Sequence, residues 1–346
     1  PVAYDSIGTG SEFRTLTRAL SFRFPLAKTK VVLEVMAENP NTGHPELVLK
    51  ETLDPKRLKH VERMPKEDLE VRLIQKATQE PPLIVNIYAE GYRAPRKSQF
   101  WQDAQRIVNA LKSYNFPSLN RMEFRAVFAA SNETLGSATN LGHPIPVKNT
   151  FLGLYFPYWG NTERWYNIVY PTREGKYRRA IGLVPYDYPV AVIDDAKYWG
   201  IGNFMELTAV PSRHKSFTYL LLHEFGHFFG LNEEYEGGGK TELAFAPKIK
   251  EPWSQNITFL NDPNDIKWKQ FVKDSTPLPT PSSHWQGNGP FGAYRGGYAQ
   301  TPPHGKSHKP GKNCVMNNRR NFCPICRHAI EEQMAFDLGE KSKDGK

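Results

Sequence analysis

The stretch LLLHEFGHFFGLNEEY, residues 220–235, carries two histidines four positions apart with a glutamate between them. In an α-helix, residues four apart lie on one face, about 6 Å apart along the axis. His223 and His227 can therefore direct both imidazoles at one ion. The apolar residues before His223 predict a buried helix, and Gly230 is a residue type that commonly ends one. The stretch thus predicts a helix that presents two metal ligands.

Glu224 gives this helix the chemistry of a hydrolase. Two histidines suit Zn²⁺ at Zn–N distances of about 2.0–2.1 Å, and a catalytic zinc site keeps one position open. A carboxylate beside the first histidine can take the proton from a zinc-bound water as that water attacks a carbonyl, and can later return it to the leaving amine. We therefore predict one Zn²⁺ per chain and assign Glu224 as the general base. A structural zinc would have no use for such a base.

The third zinc ligand is predicted to follow the turn at Gly230. A glycine there can adopt positive φ, so that the residues just beyond it fold back beneath the metal. Glu233 lies ten residues after His223, and a carboxylate is an accepted third ligand beside two histidines. We predict Glu233 as this ligand, with the remaining glutamates supporting a ligating histidine. The alternatives are Glu234, Glu242 and Glu251.

Length and composition limit the class of protein. The chain has 346 residues, which is enough for one large domain and a small one. Its 39% hydrophobic and 12% aromatic residues exclude wholesale disorder. No apolar run approaches the ~20 residues that span a bilayer. The first residues lack the charged start and apolar core of a signal peptide, so we expect any targeting segment to have been removed already.

The formal net charge of +9 predicts a basic surface. Such a surface is compatible with contacts to anionic cell-surface polymers. The chain contains no helix-turn-helix pattern, zinc-finger spacing or aromatic-basic sheet motif, so we expect no nucleic-acid partner.

The N-terminal part predicts a small β-rich, sandwich-like domain over residues 1–79. Short β-rich runs at 29–40 and 44–55 are separated by a turn signal, and 69–77 is a further strand. The proline pair that follows indicates a linker over 80–82.

From residue 83 to 339 the pattern predicts an α/β (α+β) catalytic domain, followed by a polar tail over 340–346. Strands are predicted at 83–92, 121–130 and 188–196, the last as a central strand covered on both faces. The segment 96–114 predicts a helix, and the one apolar stripe of that helix consists of Phe100, Ala104, Ile107, Val108 and Leu111. The last helix is predicted at 326–339. The intervening segment 236–313 is rich in Gly, Pro and Asn, and long irregular segments of this kind are usually functional.

Several of these segments resemble one family, in the same order along the chain. They are HEFGHFFGLNEEY (223–235), VAVIDDAKYWGIGN (190–203), EPWSQNITF (251–259), NCVMNN (313–318) and FCPICR (322–327). Together they resemble the immunoglobulin A peptidase family, metallopeptidase family sixty-four, over about residues 83–338. The resemblance implies a metzincin-like peptidase domain that cuts peptide bonds with one zinc. It also implies a secreted, periplasmic or cell-surface location in bacteria.

The resemblance bears on three further positions. Alignment on Tyr235 places Glu233 where the family has an aspartate, in agreement with the spacing argument. Met316 resembles the Met-turn of metzincins, where it would be a polarizable apolar floor beneath the zinc. A Tyr-Arg-Pro element of the family is altered here to GAYRGGYAQTPP (292–303). The family name says nothing about the substrate of this chain.

Tyrosines near the irregular segment are candidates to stabilise the transition state. Tyr298 and Tyr294 are our candidate catalytic residues, as donors of a hydrogen bond to the tetrahedral oxyanion. Tyr235 is expected to support a ligand rather than to act on the substrate.

The three cysteines, Cys314, Cys323 and Cys326, include one C-x-x-C pair. A zinc ribbon would need a second such pair, and a redox motif of the thioredoxin type would need a preceding βαβ unit. We therefore expect a disulfide between two of the three, tying the Met316 segment to the last helix. A disulfide would suit an oxidising compartment.

Taken together, these features predict a zinc-dependent endopeptidase with a protein or peptide substrate. A zinc amide hydrolase acting on cell-wall peptides is the first alternative. A surface binding protein with a non-catalytic zinc, and with the β-rich domain as its adhesive part, is the second. Replacement of Glu224 by Ala would separate these interpretations: loss of activity with retained zinc would favour the enzyme, and unchanged function would favour the binding protein.

Overall fold

The computed structural model describes residues 29–38, 45–57, 69–135, 149–155, 169–171, 174–198, 200–204, 206–235, 251–259, 262, 265–297, 307–318 and 321–340. These residues fall into two compact units, one within residues 20–64 and one from residue 65 onward. Within the described ranges, no helix combines the length and the apolar character that crossing a membrane requires.

The first unit contains an antiparallel pair of strands, β1 (Val31–Glu38) and β2 (Pro45–Leu53). Val31 pairs with Leu53 at one end and Glu38 with Pro45 at the other, with a register shift between Val35 and Met36. Both strands lie where the sequence predicts them. Most of the remaining residues of the predicted N-terminal domain, apart from its last predicted strand, lie outside the described residues.

The second unit is built on a six-stranded mixed sheet with the strand order β3-β5-β4-β8-β10-β9. Its four inner strands run parallel, and both edge strands run antiparallel to their neighbours. The remaining elements of the chain, in order, are β3 (Glu70–Gln75), β4 (Leu83–Glu90), α1 (Lys97–Ser113), β5 (Met122–Phe128), β6 (Leu154–Tyr155), β7 (Tyr170–Pro171), α2 (Glu174–Ile181), β8 (Tyr188–Ile193), β9 (Ile201–Asn203), β10 (Leu207–Pro211), α3 (Phe217–Phe228), β11 (Tyr294–Arg295), β12 (His308–Lys309), α4 (Val315–Asn318) and α5 (Pro324–Asp337).

The sequence predicts a domain boundary at residue 79, whereas the second unit already includes residues from 65 onward. The strand predicted at 69–77 is β3, and it pairs antiparallel with β5 in the six-stranded sheet rather than belonging to the N-terminal domain. Every residue of β3 is exposed or half-buried, as is typical of an edge strand. Such a pattern does not reveal which sheet the strand will join, because that choice depends on partners distant in the chain.

The two faces of the sheet are covered by different helices. Side chains such as Val85 and Ile87 of β4 pack on one face against α1, α3 and α5. Side chains such as Ala191 and Ile193 of β8 pack on the opposite face, in a smaller cluster that includes Ile181 of α2. All six residues of β8 are buried, as predicted for a central strand covered on both faces. The predicted apolar stripe of α1 is also confirmed, since its five members are buried in the first cluster.

Candidate active site

The helix predicted from the histidine stretch is α3, and its two histidines face each other. The Nε2 atoms of His223 and His227 are 3.2 Å apart, and the rings are nearly perpendicular. His223 Nδ1 lies 3.1 Å from the Val315 carbonyl oxygen, and His227 Nδ1 lies 2.8 Å from that of Leu231. A backbone carbonyl can only accept a hydrogen bond, so both Nδ1 atoms are the protonated ones. Both Nε2 atoms then present lone pairs to the same point.

This pair of nitrogens fits a bound cation. Two facing lone pairs 3.2 Å apart need positive charge between them, and two nitrogens of a tetrahedral zinc site are separated by about 3.4 Å. Glu233 Oε1 lies 3.6 Å from His227 Nε2, so a carboxylate completes a set of the His₂Glu type. The structure thus brings His223, His227 and Glu233 together, and the residues fit the zinc that the sequence predicts.

The electrostatics of the two histidines suit this role. Burial, and then the neighbouring His227, lower the pKa of His223 to about 4, so His223 is neutral near pH 7 and can act as a ligand. Burial also acts to lower the pKa of His227. The carboxylates of Glu233 and Glu224 and the Leu231 carbonyl outweigh this effect and raise that pKa above its usual value. The surroundings of His227 therefore favour positive charge where the ion would bind.

Glu224 is a carboxylate adapted to proton transfer. Burial raises its pKa to about 7, with the neighbouring His227 and a hydrogen bond from the Gly202 backbone opposing the rise and Glu233 adding to it. Its side chain remains partly accessible. A base with a pKa near the working pH can both accept a proton and release it again, as a general base that later acts as proton donor must do.

The loop after α3 separates the two candidate glutamates. Gly230 has a φ of +83°, as predicted for the turn that ends the helix. Asn256 holds the next residues through its amide, which accepts from the Asn232 backbone N–H at 2.8 Å and donates to the Asn232 carbonyl at 2.8 Å. Glu234 N–H donates to the Met316 carbonyl at 2.9 Å. As a result Glu233 faces His227, whereas Glu234 is fully buried elsewhere.

Asn256 is a residue that the sequence argument missed. It begins a match to an N-glycosylation sequon, but its side chain is completely buried and its amide is used within the protein. The clue in the sequence is its place in the segment EPWSQNITF, which contributes to the family resemblance.

The segment of α4 forms the floor of the site. Val315 supplies the carbonyl that orients His223, and Met316 is fully buried. A Cβ added at Gly226, between the two histidines, would lie 2.6 Å from Met316 Sδ. The Met316 thioether therefore lies directly against α3.

The edge strand β9 borders the site on the opposite side of α3. A Cβ built on Gly202 would lie only 1.9 Å from the Glu224 carbonyl oxygen, and one on Gly200 would lie 2.6 Å from Glu224 Oε1. These two glycines allow the backbone beside β9 to approach α3 more closely than any other residue type permits. The sequence analysis did not single out either glycine.

The other predicted site residues have different surroundings. Tyr298 and Glu242 lie outside the described residues. Glu251 accepts a hydrogen bond from the Phe259 N–H at 2.8 Å and pairs with Lys267 at 2.9 Å, so it stabilises its own loop. Among the described tyrosines, Tyr235 has its ring nearly parallel to that of His223, with centroids 6.0 Å apart.

Tyr294 does not fit the role of oxyanion donor. Its ring is 1% exposed and packs edge-on against Trp285, and its hydroxyl donates to the Pro290 carbonyl at 2.7 Å. The single O–H proton of a tyrosine is thereby committed to the protein. The Tyr294 hydroxyl therefore links two parts of the irregular segment, because Pro290 lies only four residues before it.

The Tyr294→Phe variant tests this assignment. We expect kcat/KM on a peptide substrate to stay within about threefold of wild type and the free energy of unfolding to fall by about 1 kcal/mol, the usual loss for one hydrogen bond. Chemical denaturation and steady-state kinetics measure the two quantities. A large drop in kcat with an unchanged free energy of unfolding would contradict this assignment and indicate that Tyr294 acts in catalysis.

The three cysteines are free thiols in the structure, and all are buried. The expected disulfide is therefore absent. Cys314 Sγ and Cys326 Sγ are 3.6 Å apart, which is well beyond the S–S bond length of about 2.05 Å.

Comparison with known proteins agrees with the site. A sequence model of the family described as IgA Peptidase M64 matches residues 71–289, which is more than half of the chain. The matched range includes the strands of the six-stranded sheet from β4 to β10, α3, and the loop that carries Glu233. No curated protein sequence matches the chain. Because one family covers the sheet and the candidate site together, the chain belongs to the IgA peptidase M64 family, a family of metallopeptidases.

Proposed function

We propose that this chain is a zinc-dependent endopeptidase with Glu224 as its general base. The observation that carries the proposal is the pair of His Nε2 lone pairs, 3.2 Å apart, with the Glu233 carboxylate 3.6 Å from one of them. Membership of a peptidase family supports a protein or peptide substrate. The metzincin-like arrangement is supported by the buried Met316 beneath α3.

Each residue of the site has a defined task in this proposal. His223, His227 and Glu233 would hold the zinc, which supplies Lewis acidity that polarises a carbonyl and lowers the pKa of water. Glu224 accepts the proton of the attacking water and delivers it to the departing amine. The carbonyls of Val315 and Leu231 keep the Nε2 atoms of the two histidines unprotonated and correctly oriented.

The position of β9 supports cleavage within a chain. β9 is the edge strand of the sheet next to α3, and it pairs only with β10 among the described strands. An extended peptide can add to such an edge through main-chain hydrogen bonds, which do not depend on a chain terminus. Substrate bound along β9 would pass close to Glu224, because Gly200 and Gly202 bring this backbone against that residue.

The direct test is digestion of a diverse library of unfolded peptides, analysed by mass spectrometry. We expect internal peptide bonds to be cleaved, the activity to be lost with a chelator, and stoichiometric zinc to restore it. Trimming of chain ends alone would contradict an endopeptidase, and activity that survives complete metal removal would contradict the zinc proposal. The sequences of the products would define the substrate preference, for which the family name is no guide.

Replacement of Glu233 by Ala tests the third ligand. We expect zinc affinity to fall by roughly 10–100-fold and kcat/KM to fall with it, because two histidines alone leave the site incomplete. Zinc competition against a chromophoric chelator measures the affinity, and the exposed Glu80→Ala serves as the matched control. Unchanged affinity in the Glu233 variant would assign the third ligand to another residue.

Two further assignments stay predictions. Tyr298 remains the candidate donor to the oxyanion, with Tyr235 as the alternative that lies beside His223. We also propose that the protein acts outside the cytoplasm as a secreted, periplasmic or cell-surface enzyme. Fractionation of the native host would test the location.

A further inference from the structure

A second group of potential metal ligands lies next to the candidate active site, on residues adjacent in the chain to Glu233 and Val315. Glu234, Cys314, Cys323 and Cys326 each offer one ligand atom, and these four atoms all lie within 4.8 Å of one another. All four residues are buried, and none is more than 6% exposed. None of them takes part in the proposed peptidase chemistry.

The distances within this group suit a tetrahedral zinc site. Cys314 Sγ and Cys326 Sγ are 3.6 Å apart, and Cys326 Sγ lies 3.1 Å from Glu234 Oε1. With Zn–S bonds of about 2.3 Å, two sulfurs of a tetrahedral site are about 3.8 Å apart, and a sulfur and an oxygen are somewhat closer. Two of the separations are therefore close to those of a closed structural site, and none of the others exceeds 4.8 Å.

The C-x-x-C pair is presented as metal-binding cysteines usually are. Cys323 is the N-cap of α5, and the backbone N–H of Cys326 lies 3.5 Å from its sulfur. A helix N-terminus carries partial positive charge and stabilises a thiolate, which is the form that binds zinc. A spacing of two residues between cysteines is typical of structural zinc sites.

The buried carboxylate also indicates a missing partner. Glu234 is fully buried, and its Oε2 atom has no hydrogen-bond partner among the described residues. Its Oε1 atom receives a hydrogen bond from Asn256 at 3.1 Å, and the buried Lys309 donates to its backbone carbonyl. Burial of a carboxylate without full compensation is costly, and a divalent cation at this point would remove that cost.

We propose that Glu234, Cys314, Cys323 and Cys326 bind a second zinc ion, with a structural role. A disulfide between Cys314 and Cys326 would use two of these residues and leave the Cys323 thiol and the Glu234 carboxylate buried beside it. One zinc uses all four. This inference does not depend on the proposed peptidase activity.

The position of this second site explains what it would stabilise. Glu234 directly follows Glu233, the predicted third ligand of the catalytic zinc. Cys314 directly precedes Val315, whose carbonyl orients His223. Cys323 is the N-cap of α5 and Cys326 lies in its first turn. A zinc bound to all four would join the third-ligand loop, the floor of the active site and the last helix.

Two preparations of the protein test the proposal by metal content. The wild-type chain is expected to contain two zinc ions, and a His223→Ala/His227→Ala double variant is expected to retain one. After replacement by Co²⁺, the double variant should still show the thiolate-to-cobalt charge-transfer absorption, which a site of histidines and carboxylate cannot produce. Titration of wild type with a mercurial thiol reagent should release one zinc per chain while the other stays bound.

The wild-type titration needs no cysteine variant and therefore remains informative if such variants fail to fold. A Cys323→Ser/Cys326→Ser variant that folds should lack the charge-transfer absorption and bind one zinc. The proposal is overturned if the double histidine variant binds no metal, or if the intact mass is lower by two hydrogens and so reveals a disulfide. Two zinc ions in a chain without peptidase activity would support this site and contradict the proposed function. Peptidase activity with a single bound zinc and no thiolate-to-cobalt absorption would support the proposed function and contradict this second site.

Discussion

Replacement of Glu224 by Gln is expected to lower kcat/KM by roughly 10³-fold while the catalytic zinc stays bound. Glutamine has nearly the same shape as glutamate, but its amide cannot accept the proton of the attacking water at neutral pH. The proposed zinc ligands His223, His227 and Glu233 are unchanged in this variant. Steady-state kinetics on a peptide identified from the library, combined with elemental analysis, measures both quantities.

The control for this variant is Glu80→Gln, which removes one negative charge at an exposed position. We expect this control to retain wild-type kcat/KM and zinc content. If Glu224→Gln retained activity within threefold of wild type, another residue would be the base. If it lost its zinc as well as its activity, the role of Glu224 would be to support the metal site, and the proposed chemistry would be wrong.

The Gly202→Ala variant is expected to lower the free energy of unfolding by about 3 kcal/mol, the upper part of the usual range for overpacking. The added Cβ would lie 1.9 Å from the Glu224 carbonyl oxygen and 2.7 Å from His227 Cβ. The first of these is a backbone atom in the middle of α3, so the contact can be relieved only by moving β9 or the helix. Either movement displaces Glu224 and His227, and we therefore expect zinc affinity and kcat/KM to fall together.

Gly175→Ala is the matched control, because it adds the same methyl group where the nearest atom, Arg179 Nη1, is 3.5 Å away. Its stability should be equal to that of wild type or slightly higher, since Gly175 lies in α2 and alanine favours helix. Thermal and chemical denaturation of the two variants side by side measure the difference. Equal stability of both variants would show that β9 does not press against α3 as closely as the structure indicates.

Local sequence patterns were enough to predict most of the longer regular elements of the second unit. The apolar stripe of α1 and the continuous apolar run of β8 both depend on contacts that repeat with the period of the element itself. The short elements α2, β9 and β10 escaped prediction. They have few residues, and β9 in particular is positioned by glycines that have no side chain to form a pattern.

The candidate site was predictable in its chemistry and less so in its arrangement. The spacing of His223, Glu224 and His227 indicates a helix that could bind a metal ion, because residues four apart lie on the same face of a helix. Spacing favoured Glu233 but left Glu234 open as an alternative, since adjacent residues in a loop point in directions set by its hydrogen bonds. In the structure the Asn256 amide and the Met316 carbonyl determine which of the two faces His227.

The cysteines show most clearly what could not be predicted from the sequence alone. The sequence shows three cysteines close to one another in the chain, and a disulfide was the simplest expectation. Only the tertiary structure adds Glu234, which lies 92 positions from Cys326 and yet has its Oε1 atom 3.1 Å from that sulfur.

The sequence by itself therefore determined the histidine helix, the glutamate beside its first histidine and the alternation of strands and helices, because each depends on residues within a few turns of one another. Only the tertiary structure decided which glutamate faces the histidines, that β3 joins the central sheet, and that the cysteines gather around a carboxylate. Each of these depends on contacts between segments distant in the chain, which no local period encodes.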